Sequence, residues 1–239
     1  MKREVFTRIR IELSGVDTTF KKPIEDSIVG FVHKMLGENN KWHDGFSNYN
    51  ISGLYGGVVK DGYLSFPNGG YFYVSSIDEE FLELLAKNLF HKQGTLDICG
   101  MKVKSFTFES NELYSDYDVI RMTSPLLLKV HGDKYLTYKD DSFLEELTEQ
   151  CKNKLRNADY SEREIGNFQI ESFHFDGARE CIAKRKNYAL PSSMVMLVVK
   201  GKPKCRKAIY EMGLGSSTGY CFGTVKVVNN NKDNNNFNF

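Results

Sequence analysis

Alternating and helical patterns of apolar residues divide the N-terminal half of the chain into strands and helices. Residues 4–13 alternate apolar and polar side chains, which is typical of a half-buried strand. Apolar residues then recur at helical spacing over residues 24–36 and 79–91, and Asp78 is placed to cap the second of these helices. This half therefore has the order of a ferredoxin-like unit, in which a strand and a helix precede further strands, a helix and a last strand. The remaining strands are predicted at residues 49–55, 63–66, 70–75 and 101–108.

The second half of the chain repeats this order of elements. We predict strands at residues 119–130, 135–138, 168–175, 181–185, 194–199 and 222–228, and helices at 142–158 and 202–212. The fold class is accordingly predicted as α+β, with two tandem ferredoxin-like (RRM-like) units and antiparallel sheets. The predicted domains are residues 1–116 and 117–228, followed by an Asn-rich tail at 229–239 that we expect to be disordered.

Composition and charge restrict the function classes only weakly. The 239 residues include 32 basic and 31 acidic side chains, so any basic surface must be local. Five scattered cysteines without a C-x-x-C pair argue against a disulfide framework and against a zinc site. We therefore expect a reducing, cytoplasmic setting. Because the N-terminus has no apolar signal core and no long apolar run follows, we expect a soluble protein without a membrane partner.

A glycine-rich segment near the C-terminus is the most informative local feature. It follows a predicted helix and reads GLGSSTGYCFG from Gly213 to Gly223. By itself it is better explained by a helix C-cap and turn than by a cradle of N–H and hydroxyl donors for phosphate oxygens; its order, spacing and C-terminal position favour the cradle. If it binds RNA, the residues that we expect to contact the RNA are Gly213, Gly215, Ser216, Ser217, Thr218, Tyr220 and Gly223.

The residues around this segment resemble a known family. Residues 200–228, KGKPKCRKAIYEMGLGSSTGYCFGTVKVV, resemble the signature of the CRISPR-associated repeat endoribonucleases of the RAMP superfamily. That signature is Gly-apolar-Gly, five residues, Gly-apolar-Gly and a strand, and Cys221 stands where the family usually has glycine. Upstream, AKRKNYALPSSMVMLVVKG resembles the basic hairpin that precedes the family's helix. The resemblance is specific over residues 183–228 and only architectural elsewhere.

The resemblance implies a metal-independent endoribonuclease with no cofactor. Such an enzyme cuts CRISPR precursor RNA within its repeats by attack of a ribose 2′-OH, which leaves guide RNAs with 5′-OH and 2′,3′-cyclic phosphate ends. Its partners would be CRISPR repeat RNA and either an effector complex or a second copy of the chain. The alternative is a non-catalytic guide-RNA-binding subunit of an effector complex. An unrelated ferredoxin-like pair that binds small ligands would leave the hairpin and the glycine-rich segment unexplained.

Candidate catalytic residues follow from the chemistry and from the resemblance. The reaction needs a base for the 2′-OH and an acid for the departing 5′-oxygen, and histidine suits both tasks near neutral pH. The resemblance places the family's catalytic histidine at His43, in the loop after the first helix, and His33 in that helix is a second candidate. Some relatives use a tyrosine or a lysine as the second group, which here would be Tyr49 or Lys41.

Basic residues cluster at two places close to the glycine-rich segment. Alone, either cluster would be interpreted as an ordinary solvated surface, but beside that segment we expect both to follow an RNA backbone. The first cluster, in the hairpin, contains Arg179, Lys184, Arg185 and Lys186. The second, around the helix that follows, contains Lys200, Lys202, Lys204, Arg206 and Lys207.

Overall fold

The computed structural model forms two compact units. The first comprises Met1–Ser110 together with Ser217–Phe222, and the second comprises Asn111–Ser216 together with Gly223–Phe239. The sequence assigned the whole glycine-rich segment to the C-terminal domain, whereas the middle of that segment is part of the first unit. The structure describes residues 6–20, 24–37, 40–42, 46–92, 95–109, 117–174, 176–185 and 188–228.

The first unit contains a five-stranded sheet, a small three-stranded sheet and two helices. The first helix ends at Gly37, which has a left-handed φ of 96°. The second begins at Asp78, whose carboxylate accepts hydrogen bonds from the backbone N–H groups of Glu80 and Phe81. In chain order the elements are β1 (Arg8–Leu13), β2 (Val16–Phe20), α1 (Glu25–Leu36), β3 (Tyr49–Ile51), β4 (Val58–Lys60), β5 (Tyr63–Phe66), β6 (Gly70–Ser76), α2 (Glu79–His91), β7 (Asp97–Ile98) and β8 (Met101–Glu109).

The main sheet of the first unit has the strand order β3-β6-β1-β8-β7, and all of its pairs are antiparallel. One face of this sheet packs against α1 and α2. On that face Ile9, Ile11, Phe72 and Val74 are fully buried, and Phe31 of α1 meets the Phe72 ring edge to face. The strand β3 lies at the edge of the sheet, which leaves it open to a further segment of chain on its outer side.

The second unit contains a four-stranded sheet with the order β12-β15-β9-β16, again antiparallel, and two separate two-stranded ribbons, β10-β11 and β13-β14. Its helix α3 packs against α5 and against β12. The elements are β9 (Tyr117–Met122), β10 (Leu128–Lys129), β11 (Tyr135–Leu136), α3 (Phe143–Asn157), α4 (Glu162–Ile165), β12 (Gln169–Ser172), β13 (Arg179–Arg185), β14 (Tyr188–Met194), β15 (Met196–Lys200), α5 (Pro203–Met212) and β16 (Val225–Val227).

Both units thus show the ferredoxin-like order of four strands and two helices. If the short β7 at the edge of the first sheet is left aside and the remaining four strands of each sheet are counted along the chain, both sheets place them in the order second, third, first, fourth. The predicted tandem ferredoxin-like, antiparallel α+β fold is confirmed. Among the described residues, no helix is long and apolar enough to cross a membrane.

The four long helices match their predicted ranges to within two residues at each end, but several predicted strands are too long. The strands expected at 49–55 and 168–175 are only Tyr49–Ile51 and Gln169–Ser172, and two others are wrong for identifiable reasons. The strand expected at 119–130 stops at Met122 and resumes only at Leu128, because Pro125 between them has no N–H to donate to a ladder. The strand expected at 222–228 begins at Val225, because Cys221 and Gly223 have left-handed φ values of 64° and 70°.

Candidate active site

In the first unit, α1 and β3 bring together two of the candidate catalytic residues. His33 lies in the last turn of α1, and Tyr49 is the first residue of β3. The Tyr49 hydroxyl is 3.3 Å from His33 Nε2, and the two rings meet edge to face with centroids 6.1 Å apart. His33 is half-buried, whereas Tyr49 is only 3% exposed. The buried Tyr49 phenol therefore contacts the half-buried His33 imidazole at Nε2.

The surroundings of Tyr49 fix both its position and its protonation. Its ring stacks on Phe81, with centroids 4.8 Å apart, and its hydroxyl donates to the backbone carbonyl of Trp42 at 3.4 Å. Burial raises the pKa of the Tyr49 phenol above its ordinary value, against a smaller opposing effect of Ser47. The phenol therefore keeps its proton at neutral pH and acts as a hydrogen-bond donor.

The charge of Lys41 is compensated by acidic groups on and before α2. Its ammonium group pairs with Glu80 and lies 3.9 Å from an oxygen of Asp78, and both interactions raise the pKa of Lys41, the hydrogen bond to Glu80 more than any other cause. The same Asp78 oxygen accepts a hydrogen bond from the Trp42 indole at 2.8 Å. Lys41 thus helps to fix the chain that carries Trp42, whose carbonyl in turn accepts from Tyr49.

The middle of the glycine-rich segment lies along the outer edge of β3. The Asn50 side-chain amide donates to the carbonyl of Thr218 at 3.0 Å and to that of Phe222 at 2.8 Å. The Thr218 hydroxyl donates to the Tyr49 carbonyl at 3.2 Å. A Cβ atom added to Gly219 would lie only 2.8 Å from the Tyr49 ring, so the backbone there packs directly on the phenol. The first unit therefore contains His33, Tyr49 and this turn as one local arrangement.

The remaining histidines do not enter this arrangement in the described part of the chain. His43, the residue that the resemblance favours, lies outside the described residues. His91 ends α2 on the surface, where a cation is favoured by the helix dipole. His131 lies in a short 3-10 turn at His131–Asp133, and His174 is exposed beside Asp176.

The two ends of the glycine-rich segment belong to the second unit and are held by α3 and by the chain before β10. Lys154 on α3 is buried and donates to the carbonyl of Gly213 at 2.8 Å. Gln150, one turn earlier, donates to the Ser216 hydroxyl at 3.1 Å. The Ser216 N–H donates to the carbonyl of Leu127 at 2.7 Å. These bonds fix the segment where it leaves α5.

Two glycines of the segment are required by the packing of the protein itself. Gly215 has a φ of +76°, and a Cβ atom on it would lie 2.3 Å from the Leu127 carbonyl oxygen. Gly223 has a φ of +70°, and a Cβ atom on it would lie 1.9 Å from the Leu214 carbonyl oxygen. Any side chain at either position would both strain the backbone and overlap a carbonyl group. Contact of these glycines with RNA stays a prediction, and their conformation needs no RNA to explain it.

The structure contradicts the second basic cluster at one residue, Arg206, whereas RNA contact by its four lysines, of which Lys202 and Lys204 are exposed, stays a prediction. The prediction is wrong for Arg206, which is fully buried and paired with the carboxylate of Asp118, itself an acceptor from the Tyr210 hydroxyl at 3.0 Å. An arginine at this depth cannot reach a phosphate at the surface. Three lysines of the cluster also have partners within the protein: Lys200 pairs with Glu171, Lys204 pairs with Glu164, and Lys202 donates to the Arg163 carbonyl.

The basic hairpin is present as the ribbon of β13 and β14. Arg179 is exposed at its base. Lys184 and Arg185 lie at the far end of β13, but their side chains, like the whole of Lys186, are outside what the structure describes. At the base, Glu180 accepts a hydrogen bond from Thr137 at 2.7 Å, which joins the ribbon to the rest of the second unit. RNA binding by the hairpin stays a prediction.

Sequence reasoning missed the three residues that hold the glycine-rich segment, namely Asn50, Gln150 and Lys154. One signal was visible for Lys154, because it follows Leu147 and Cys151 along the apolar stripe of α3. A lysine on such a stripe needs a buried acceptor. Asn50 gave no local signal, since its partners lie 168 and 172 positions away.

Comparison with known proteins is consistent with this architecture. No curated protein matches the chain in sequence. Three solved structures resemble it in fold. A Cas6-related protein from Pyrococcus furiosus has a TM-score of 0.74 and 17% identity over 95% of this chain and 100% of that one. A RAMP protein that binds different RNA substrates has a TM-score of 0.70 and 17% identity over 93% and 100%. A Cas6 product complex has a TM-score of 0.65 and 13% identity over 94% and 99%.

A match to a family model gives stronger evidence for the family of this chain than these structural similarities do. The model described as CRISPR associated protein Cas6, C-terminal, matches residues 107–227, which is just over half of the chain. The match includes the basic hairpin, α5 and the whole glycine-rich segment, the features on which the sequence resemblance depended. This chain belongs to the Cas6 family of CRISPR-associated proteins.

Proposed function

We propose that this protein is an endoribonuclease that cleaves CRISPR precursor RNA within its repeats, without a metal ion, by attack of a ribose 2′-OH on the adjacent phosphate. The observation that carries the proposal is the His33–Tyr49 pair beside the turn of the glycine-rich segment, 3.3 Å from ring nitrogen to hydroxyl, in a chain of the Cas6 family. The solved Cas6 product complex with the same fold supports a cleavage reaction for the family.

In the proposed reaction, His33 and His43 supply the two proton transfers. One imidazole takes the proton from the 2′-OH as the O2′–P bond forms, and the other gives a proton to the 5′-oxygen as the P–O5′ bond breaks. The products are a 2′,3′-cyclic phosphate and a 5′-OH, and no other reactant is consumed. His33 is half-buried, so part of the residue is accessible. His43 enters on the family resemblance alone.

Tyr49 has a different part in this proposal from the one that the sequence suggested. Only 3% of the residue is exposed, and its hydroxyl is already engaged with His33 and the Trp42 carbonyl, so it is poorly placed to give a proton to RNA. It is well placed to orient His33, because its own position is fixed by Phe81 and by the Trp42 carbonyl. We therefore assign Tyr49 as a positioning residue and His33 as the catalytic residue.

RNA binding is assigned to the basic hairpin and to the accessible part of the glycine-rich segment. Ser216 in the second unit, and Ser217, Gly219 and Tyr220 in the first, are the half-buried members of that segment and offer backbone and hydroxyl groups to RNA. In the first unit, the backbone of Gly219 packs on the Tyr49 ring. The solved RAMP protein that binds different RNA substrates supports an RNA ligand for this fold. Binding of an effector complex or of a second copy of the chain stays a prediction.

A cleavage assay with repeat RNA tests the proposal. The protein is incubated in EDTA with the repeat RNA of its own CRISPR array and, in parallel, with the same RNA carrying a 2′-deoxyribose at the scissile position. We expect cleavage of the first RNA only, with a cyclic phosphate on the upstream product. Binding of both RNAs without cleavage of either would instead favour the non-catalytic guide-RNA-binding subunit.

Substitution of the histidines separates chemistry from binding. His33→Ala and His43→Ala should each lower the single-turnover cleavage rate by about 10²–10⁴-fold, the usual contribution of a general acid or base, with little change in the Kd for RNA. His91→Ala is the control, since this exposed histidine lies at the end of α2. Unchanged cleavage by His33→Ala would remove that residue from the mechanism.

A further inference from the structure

Asn50 connects β3 to both ends of one turn in the glycine-rich segment. Its side chain is 1% exposed, and its single amide nitrogen donates to the Thr218 carbonyl at 3.0 Å and to the Phe222 carbonyl at 2.8 Å. Between these two acceptors the chain forms a 3-10 turn, closed by a hydrogen bond from the Tyr220 N–H to the Ser217 carbonyl at 2.8 Å. One amide group therefore fixes the distance across the whole turn.

The turn has a backbone conformation that it would not adopt readily on its own. Ser217 and Cys221, which flank it, have left-handed φ values of 57° and 64° although neither is glycine. Left-handed backbone at a residue with a Cβ atom is unfavourable and persists only where surrounding contacts impose it. The two hydrogen bonds from Asn50 are such contacts, and they act on the carbonyl groups immediately inside and outside the strained positions.

The position of this turn is transmitted to His33 through Tyr49. The backbone of Gly219 packs on the Tyr49 ring so closely that a Cβ atom would lie 2.8 Å from it. The Thr218 hydroxyl donates to the carbonyl of Tyr49, and the Tyr49 hydroxyl is 3.3 Å from His33 Nε2. A shift of the turn therefore shifts the group that orients the imidazole.

We propose that Asn50 is a positioning residue for RNA cleavage: by holding the Ser217–Phe222 turn against Tyr49, it sets the orientation of His33. The catalytic half of this inference rests on the proposed function. The structural half, that Asn50 holds the turn, does not depend on any activity and is tested separately below.

The test replaces the donor with an acceptor of the same shape. In Asn50→Asp the new oxygen faces two carbonyl oxygens and repels both, which should release the turn. Asn88→Asp is the matched control, because the Asn88 amide likewise donates to a backbone carbonyl of the same unit, that of Met35 at 2.6 Å, and not to a carbonyl of the turn. Both variants are compared with the wild type by hydrogen exchange of the 217–222 backbone, by the Kd for repeat RNA, and by the single-turnover cleavage rate at saturating RNA.

We expect faster exchange at the Tyr220 amide in Asn50→Asp and a cleavage rate lowered by about 100-fold, the loss typical of a small misplacement of catalytic groups. The Kd for RNA should change less than about tenfold, because the hairpin contacts remain, and Asn88→Asp should leave the exchange and the rate unchanged. A loss of affinity with an unchanged rate, or equal rate losses in both variants, would overturn the catalytic half. If the wild type does not cleave RNA, the proposed function fails, and unchanged exchange at residues 217–222 in Asn50→Asp would then overturn the structural half independently.

Discussion

Gly215→Ala tests whether position 215 requires glycine because of packing within the protein or because RNA approaches it. In the structure Gly215 has a φ of +76°, and its missing Cβ position lies 2.3 Å from the Leu127 carbonyl oxygen. The variant therefore has two costs, a left-handed alanine and an overlap with a main-chain atom. Both arise in the free protein, so the variant should lose stability before any RNA is added.

The magnitude can be divided between these two costs with a second glycine. Gly132, also in the second unit, has a nearly identical φ of +74°, but nothing lies within 4 Å of its Cβ position. Gly132→Ala should therefore lower the free energy of unfolding only by the cost of a left-handed alanine, about 1–2 kcal/mol. Gly215→Ala should cost the same amount plus the overlap, for which overpacking data suggest about 1–3 kcal/mol more. The total for Gly215→Ala is then about 2–5 kcal/mol.

The assay is equilibrium unfolding in urea without RNA, followed by RNA binding under conditions where all three proteins are folded. We expect the unfolding midpoint to fall in the order wild type, Gly132→Ala, Gly215→Ala. If the two variants are equally stable and only Gly215→Ala binds RNA more weakly, the packing argument is refuted. Residue 215 would then be glycine because RNA approaches it.

Three further predictions concern buried groups. Burial lowers the pKa of Lys154 from 10.5 to about 8, so the folded protein loses this proton at a lower pH than the unfolded chain does. The free energy of unfolding of the wild type, relative to that of Lys154→Met, should therefore rise between pH 8 and 10.5 by at most about 1.4 kcal/mol per pH unit. A pH-independent difference measured by urea unfolding would contradict this. Asp118→Ala removes a buried carboxylate that pairs with the fully buried Arg206 and should lower the free energy of unfolding by about 3–5 kcal/mol. A second change, Arg206→Met, should restore much of this loss, and additive losses would exclude the coupling. Tyr49→Phe keeps the ring and removes the hydroxyl, so it should slow RNA cleavage at saturating substrate while costing only about 1 kcal/mol of stability; an unchanged rate would remove Tyr49 from the orientation of His33.

The secondary structure was largely predictable because it depends on short-range patterns. The cap at Asp78 and the stripe of α3 follow from residues within a few positions of one another, and both are confirmed. The prediction failed where a single residue interrupted a run, as Pro125 does between β9 and β10. The prediction of a strand from residue 222 also failed, because the left-handed backbone at Cys221 is imposed by contacts from outside the segment.

The two ferredoxin-like units and the family signature from Gly213 to Gly223 were predictable from the sequence alone, and so was the choice of His33 and Tyr49 as candidates. The folded chain was needed to show that Arg206 is buried against Asp118, that Gly215 must be glycine beside Leu127, and that Asn50 holds the middle of the segment. The two groups of features differ in the range of the interactions behind them. Helix and strand patterns act over a few residues, whereas the bond from Asn50 to Thr218 joins groups 168 positions apart, and such a bond exists only once the chain has folded.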